Sequence, residues 1–189
     1  MKKKIILGVL ALLALVCLLS SVYTVEENQY ACTVRFSKII HTTQTPGLHF
    51  KVPFLDSVKY FPKAMMLYDI PPSEVLTSDK QNMTVDNYIL WRVSDPLLFY
   101  QSLGSTVVAE ERLNALTYNT LKTVMGTLSQ ADIINMDDAS ERNEIYAGIA
   151  SSVNALAQNY GIEVVDVKIK RFDLPEANEN AVYARMISE

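Results

Sequence analysis

The chain has 189 residues, a formal net charge of −4 and a mean hydropathy of +0.10. Fourteen of the seventeen bases and all twenty-one acids follow the N-terminal segment, so the body carries −7. That acidity excludes nucleic acid as a partner, which needs clustered Lys and Arg, and two cysteines exclude a disulfide scaffold.

Residues 5–22 contain no charge, and twelve of the eighteen are Ile, Leu or Val: Ile5, Ile6, Leu7, Val9, Leu10, Leu12, Leu13, Leu15, Val16, Leu18, Leu19 and Val22. As a helix this run is about 27 Å long, near the thickness of a hydrocarbon core. Twelve such residues favour insertion by roughly 4–7 kcal/mol. A cleaved signal peptide is the alternative, because Lys2, Lys3 and Lys4 also suit its basic end. The run exceeds the usual 7–15 apolar residues of such peptides, and leucines occupy the −3 positions where a small residue is expected. The expectation is an uncleaved anchor. The three lysines keep the N-terminus cytoplasmic and put residues 24–189 on the far side of the membrane. No later stretch is long and apolar enough to span.

From Val25 the chain alternates. Tyr30, Cys32, Val34 and Phe36 form one predicted strand face, and Ala31, Thr33 and Arg35 the other. Pro46-Gly47 breaks the chain before short strands at Leu48–Val52 and Ser57–Phe61, and Pro62, Pro71 and Pro72 favour edges. Met83, Val85, Ile89, Trp91 and Val93 mark a longer strand that Asn87 interrupts. After Pro96 the period becomes helical, with stripes at Leu113, Leu116, Leu121, Val124, Met125 and Leu128, then Ile145, Ile149, Val153 and Leu156. Gly161 suits a left-handed cap before a strand with Val165, Val167 and Ile169 inward, and Pro175 starts a last helix. The expected class is α+β: anchor 1–23, β-rich subdomain 24–94, α/β subdomain 95–174 and a terminal helix from 175 to 189.

Motifs for chemistry are missing from the sequence. His41 and His49 have no metal-ligand spacing, and there is no nucleophile elbow or phosphate-binding glycine loop. Cys32 reads as a small buried residue, and Ser78 with Lys80 are near neighbours that rarely act as a catalytic pair. Asp137-Asp138 reads as helix N-terminal charge, and Asn82-Met83-Thr84 fits a glycosylation acceptor. No catalytic, cofactor or metal residue is expected. Phe50, Val52, Pro53 and Phe54 have two readings. Ordinary subdomain core is the commoner use of such residues, and a membrane-proximal tip is the other.

Four stretches together resemble the stomatin/prohibitin/flotillin/HflK–HflC (SPFH, band 7) family. They are VEENQYACTVRFSK (Val25 to Lys38), PGLHFKVPFLDSV (Pro46 to Val58), LTSDKQNMTVDNYILWRVSDP (Leu76 to Pro96) and GIEVVDVKIKRFDLP (Gly161 to Pro175), with AVYARM (Ala181 to Met186) behind. The short tail before the anchor looks most like the HflC branch. The resemblance implies a β-rich subdomain beside the membrane, then an α/β subdomain, and no catalytic residue. It further implies a scaffold that pairs with an HflK-like protein in homo- or hetero-oligomers and modulates the FtsH-type ATP-dependent membrane protease. A membrane-bound hydrolase and a stomatin-like organiser of lipids or channels are the alternatives. Ser37 stands where the family usually has glycine, and the family's long charged C-terminal helix is expected to be lacking beyond Glu189.

Overall fold

A computed structural model describes residues 2–129, 133 and 139–173 and divides the chain at Ala64/Met65. It is α+β with antiparallel sheets throughout. In the first unit, α1 (Lys2–Ser20) leads into β1 (Val22–Val25), so Val22 belongs to a strand and not to the helix. β1 pairs with β4 (Gly47–Phe50), from Val22 opposite Phe50 to Val25 opposite Gly47. A second sheet has β2 (Gln29–Arg35) between β3 (Lys38–Thr43) and β5 (Asp56–Pro62).

β2 departs from the simple alternation expected for it. Ala31, Cys32, Thr33 and Val34 are all buried, because neighbouring chain covers both faces of this central strand. The Tyr23 hydroxyl from β1 lies 3.1 Å from Thr43 Oγ1 and 3.5 Å from Thr33 Oγ1, which gives the buried threonines a polar partner. Tyr23, Val25 and Ala31 form the small core beneath, with Val58 against it. Phe36 lies outside the strand. With Ser37 it makes the two-residue turn into β3, both at positive φ (48° and 64°), as right-twisted hairpins require. Glycine is favoured there because a side chain is strained at such angles, which accounts for the family's preference at Ser37.

The second unit is a sheet in the order β6 (Met66–Leu76), β7 (Asn82–Val93), β8 (Ile162–Asp173). The compact units therefore divide at 64/65, whereas the sequence pattern changes at 94/95. Of the two strands assigned to the β-rich unit, β7 pairs with the distant β8, from Val93 opposite Ile162 to Thr84 opposite Asp173, and β6 pairs with β7. Pro71 and Pro72 sit in an edge strand, where the pairing jumps from Ile70–Asn87 to Ser73–Val85, so their missing N–H groups break no regular ladder. β7 buries Met83, Val85, Ile89, Trp91 and Val93 together with Asn87. The Asn87 amide, the Trp91 Nε1 and the Thr117 hydroxyl have no hydrogen-bond partner among the described residues.

Between β7 and β8 run α2 (Pro96–Ser102), α3 (Thr106–Met125), α4 (Ala139–Ala157) and a 3-10 turn (Gln158–Tyr160). Asp95 caps α2 by accepting from the Leu97 and Leu98 amides, with Pro96 pre-set for the first turn. Ser105 caps α3, which buries Ala109, Leu113, Thr117, Leu121 and Met125. In α4, Ile149, Val153 and Ala157 are buried, while Leu156 is exposed. The inward face of β8 is Ile162, Val164 and Val167, not the expected Val165, Val167 and Ile169. A bulge between the Trp91–Val164 and Leu90–Asp166 pairs shifts the alternation and leaves Val165 45% exposed. The terminal helix expected from Pro175, the Ala181–Met186 stretch and Asp137-Asp138 lie outside the described residues.

Gly161 joins the helical segment to β8 at φ 72°, and a Cβ there would meet the Asp95 carbonyl oxygen at 2.4 Å and the Phe99 nitrogen at 2.7 Å. Its own carbonyl accepts from the Ser94 and Asp95 amides. Strain and backbone overlap both oppose substitution, so Gly161→Ala is expected to cost about 3 kcal/mol. Thermal unfolding of the purified chain checks this, and an unchanged midpoint would refute the close approach.

Candidate membrane-facing site

The end of α1 is tied to the loop that follows β4. Ser21 Oγ donates to the Lys51 carbonyl at 2.6 Å, and the Lys51 amide donates back to the Ser21 carbonyl at 2.7 Å. The β2–β5 ladder ends at the same place, with Arg35 opposite Asp56. Beyond that last pair lie the Phe36-Ser37 turn and the loop 51–55. Phe36, Phe50 and Phe54 are 82%, 79% and 83% exposed, so the core reading does not hold for Phe50 and Phe54. Val52 and Leu55 are also exposed, and Pro53 is half-buried. Single exposed apolar residues are ordinary, but several at one end of a unit form a patch that calls for a partner. Phe36 was not legible as part of this group, because its position after Tyr30, Cys32 and Val34 continued the strand pattern. The family's glycine at position 37 was the signal for a turn there.

Along α1 the described apolar side chains, including Leu10, Leu12, Leu18 and Leu19, are exposed as well. Among the described residues no helix is long and apolar enough to cross a membrane. Side chains 1–4, 7, 9, 11 and 14 lie outside that description, however, and four of these are apolar or small residues of the run itself. The backbone helix has 19 residues, about 28 Å.

Asp56 holds this end together. Its side chain is 3% exposed and accepts from Arg35 Nε at 2.6 Å, Arg35 Nη2 at 3.0 Å and the Val52 amide at 2.9 Å. These donors favour the ionised form. The hydrogen bond from Arg35, more than any other contact, holds the Asp56 carboxyl below its ordinary range, and the same bond raises the Arg35 guanidinium. Beside this pair is a cleft of about 510 Å³, lined among others by Thr33, His41, Lys51 and Phe50.

The other sequence candidates do not converge. Cys32 is buried with Sγ 3.8 Å from Thr42 Oγ1. His41 pairs in register with Thr33, one residue along, so the pleat turns it to the opposite face from Cys32. His49 packs against Tyr23, and its Nε2 bonds the Thr45 carbonyl. Ser78 and Lys80 lie exposed in the turn between β6 and β7. Asn82 opens β7, opposite Leu76.

A carboxylate with a lowered folded-state pKa stabilises fully above its unfolded value of about 3.9, and that contribution is lost as pH falls through the lower folded value. Asp56→Asn should therefore lower the unfolding midpoint at pH 7. The gap to the parent chain should hold down to about pH 5 and narrow below about pH 4. Paired thermal scans from pH 7 to 3 measure it, and a gap constant to pH 3 would exclude the charge as its origin.

The profile described as "SPFH domain / Band 7 family" matches residues 23–189. "Modulator of FtsH protease HflC" of Escherichia coli K12 is 29% identical across 232 aligned positions, covering 100% of this chain and 69% of that protein. "Protein HflC" of Buchnera aphidicola subsp. Schizaphis graminum is 31% identical, with 98% of this chain and 66% of the relative covered. "Protein HflC" of Haemophilus influenzae is 30% identical, with 90% and 60% covered. The chain thus spans roughly two thirds of the length of these relatives. With the match running through both folded units, the chain belongs to the SPFH domain / Band 7 family as an HflC-like member.

Proposed function

We propose that this chain is a non-enzymatic, single-pass membrane scaffold that assembles with an HflK-like partner and modulates an FtsH-type ATP-dependent protease. The observation that carries the membrane reading is the exposed apolar end built by Phe36, Phe50 and Phe54 beside the terminus of α1. The apolar residues from Ile5 to Leu19 cross the bilayer of the inner membrane with the N-terminus cytoplasmic, and the folded body stands on the periplasmic side. The phenylalanines, with Val52 and Pro53, enter the outer leaflet. Each ring moved out of water there contributes on the order of 1–2 kcal/mol. Lateral assembly then occurs between chains confined to one surface, which raises their effective concentration without any new contact. Support for the protease comes from the name of the Escherichia coli relative, a modulator of FtsH protease.

Two experiments test this. Extraction from native membranes in mild detergent is expected to bring an HflK-like protein and the protease along with the chain. Recovery of monomer alone would refute the scaffold. For the tip, Phe54→Cys in a chain with Cys17→Ala and Cys32→Ser carries an environment-sensitive dye in lipid nanodiscs. Strong quenching by headgroup-region nitroxide lipids is expected, whereas water-exposed emission insensitive to them would remove the tip from the membrane.

A further inference from the structure

The cleft beside the Arg35–Asp56 pair has chemistry that anchoring does not use. Three basic side chains, Arg35, His41 and Lys51, line its volume of about 510 Å³ with a single carboxylate, Asp56. Asp56 engages Arg35 through Nε and Nη2, which leaves the outer edge of the guanidinium, Nη1, without a partner among the described residues. The Lys51 ammonium and the His41 ring make no hydrogen bond or ion pair among the described residues. With His41 neutral the cleft is net positive by one, in a body that carries −7. A free ammonium, an imidazole and a guanidinium held rigid by its carboxylate suit an oxyanion of tetrahedral or planar shape.

The remaining walls say which oxyanion. Phe50 and Val52 line the same cleft and are part of the exposed apolar end, and Ser21, which follows the last residue of α1, lines it too. Free phosphate has no use for an apolar wall, but a phosphodiester attached to acyl chains does. The volume is within the range of small-molecule sites. We infer that this cleft binds the phosphate of an anionic phospholipid headgroup, from the leaflet in which α1 ends. The inference deepens the membrane reading above and rests on it. Arg35 bonds a phosphate oxygen with its outer edge, Lys51 and His41 close around the group, and the glycerol end leaves along Phe50 toward the acyl region. The surrounding acidity confines recognition to short range, since charges beyond about 10 Å are screened.

The test uses the full ¹⁵N-labelled chain in dodecyl maltoside, with dihexanoyl phosphatidylglycerol, dihexanoyl phosphatidylcholine and inorganic phosphate titrated separately. Phosphatidylglycerol should give saturable shifts of the amides at residues 33–35, 41 and 50–52. Lys51→Gln and His41→Gln should each weaken binding about five-fold, with an unchanged spectrum elsewhere. Equal affinity for inorganic phosphate would overturn the lipid source, and equal affinity for phosphatidylcholine would overturn the anionic preference. Shifts that do not saturate, or that persist undiminished in the double variant, would overturn the site. Alkaline carbonate extraction of membranes carrying the chain is the separate arm. Release into the soluble fraction overturns the membrane reading and this site with it, whereas retention with failed titrations overturns the site alone.

Discussion

One buried carboxylate decides the form of the apolar end. Asp56 is the first residue of β5, and its oxygens reach backward to the Val52 amide and across to Arg35 at the end of β2. An unpaired charge in that position would be costly, so the loop 51–55 must close to satisfy it. Closure has a steric consequence. Phe54 is driven to positive φ (67°) and outward, and on the other side of the pair Phe36 stands in a two-residue turn at φ 48°. Two bulky residues accept a backbone conformation that costs roughly 1 kcal/mol or more apiece. Inward-facing rings would have been cheaper in water. Their outward placement is consistent with a medium other than water at that end.

The second unit has an equivalent constraint of a different kind. Gly161 must be glycine because the start of α2 passes within bonding distance of where its Cβ would be. That approach brings Asp95 and Ser94 onto the Gly161 carbonyl and lets β8 enter beside β7 in register. Trp91 and Phe99 then stack at 6.4 Å in the space beneath. On the opposite face of the sheet, Lys170 reaches Asp69 and Asp86, and Arg92 reaches Glu163. These exposed pairs contribute little stability, but they bridge all three strands.

Local features were legible in the amino-acid sequence, and long-range ones were not. Gly161 as a left-handed cap and the buried stripe of β7 both follow from rules spanning a few residues. The partner of β7 does not, because pairing with β8 depends on how the helices between them return the chain, so the compact units divide at 64/65 and not where the local period changes. The bulge at Val165 is also invisible locally, since Val165, Val167 and Ile169 alternate without fault in the sequence. At the apolar end of the first unit the difficulty was one of sign. Phe50 and Phe54 carry the same hydropathy whether they are buried or exposed, and the loop closure around the ion pair behind them puts them outward.

The coupling of α1 to that end bears on how a scaffold could work. A lone transmembrane helix fixes depth but leaves rotation and tilt to its neighbours. Here the helix terminus is hydrogen-bonded in both directions between Ser21 and Lys51, one residue from Phe50 and three from Phe54. A helix and an apolar end joined so closely would be two points of attachment with almost no linker between them. Flexible linkage would let the first unit sample many orientations about the helix, whereas this junction restricts them before any partner is met. Chains already oriented alike on one surface lose less freedom when they assemble side by side. The small β1–β4 ribbon, with Tyr23 tying it to the sheet through Thr33 and Thr43, is the element that transmits that restriction.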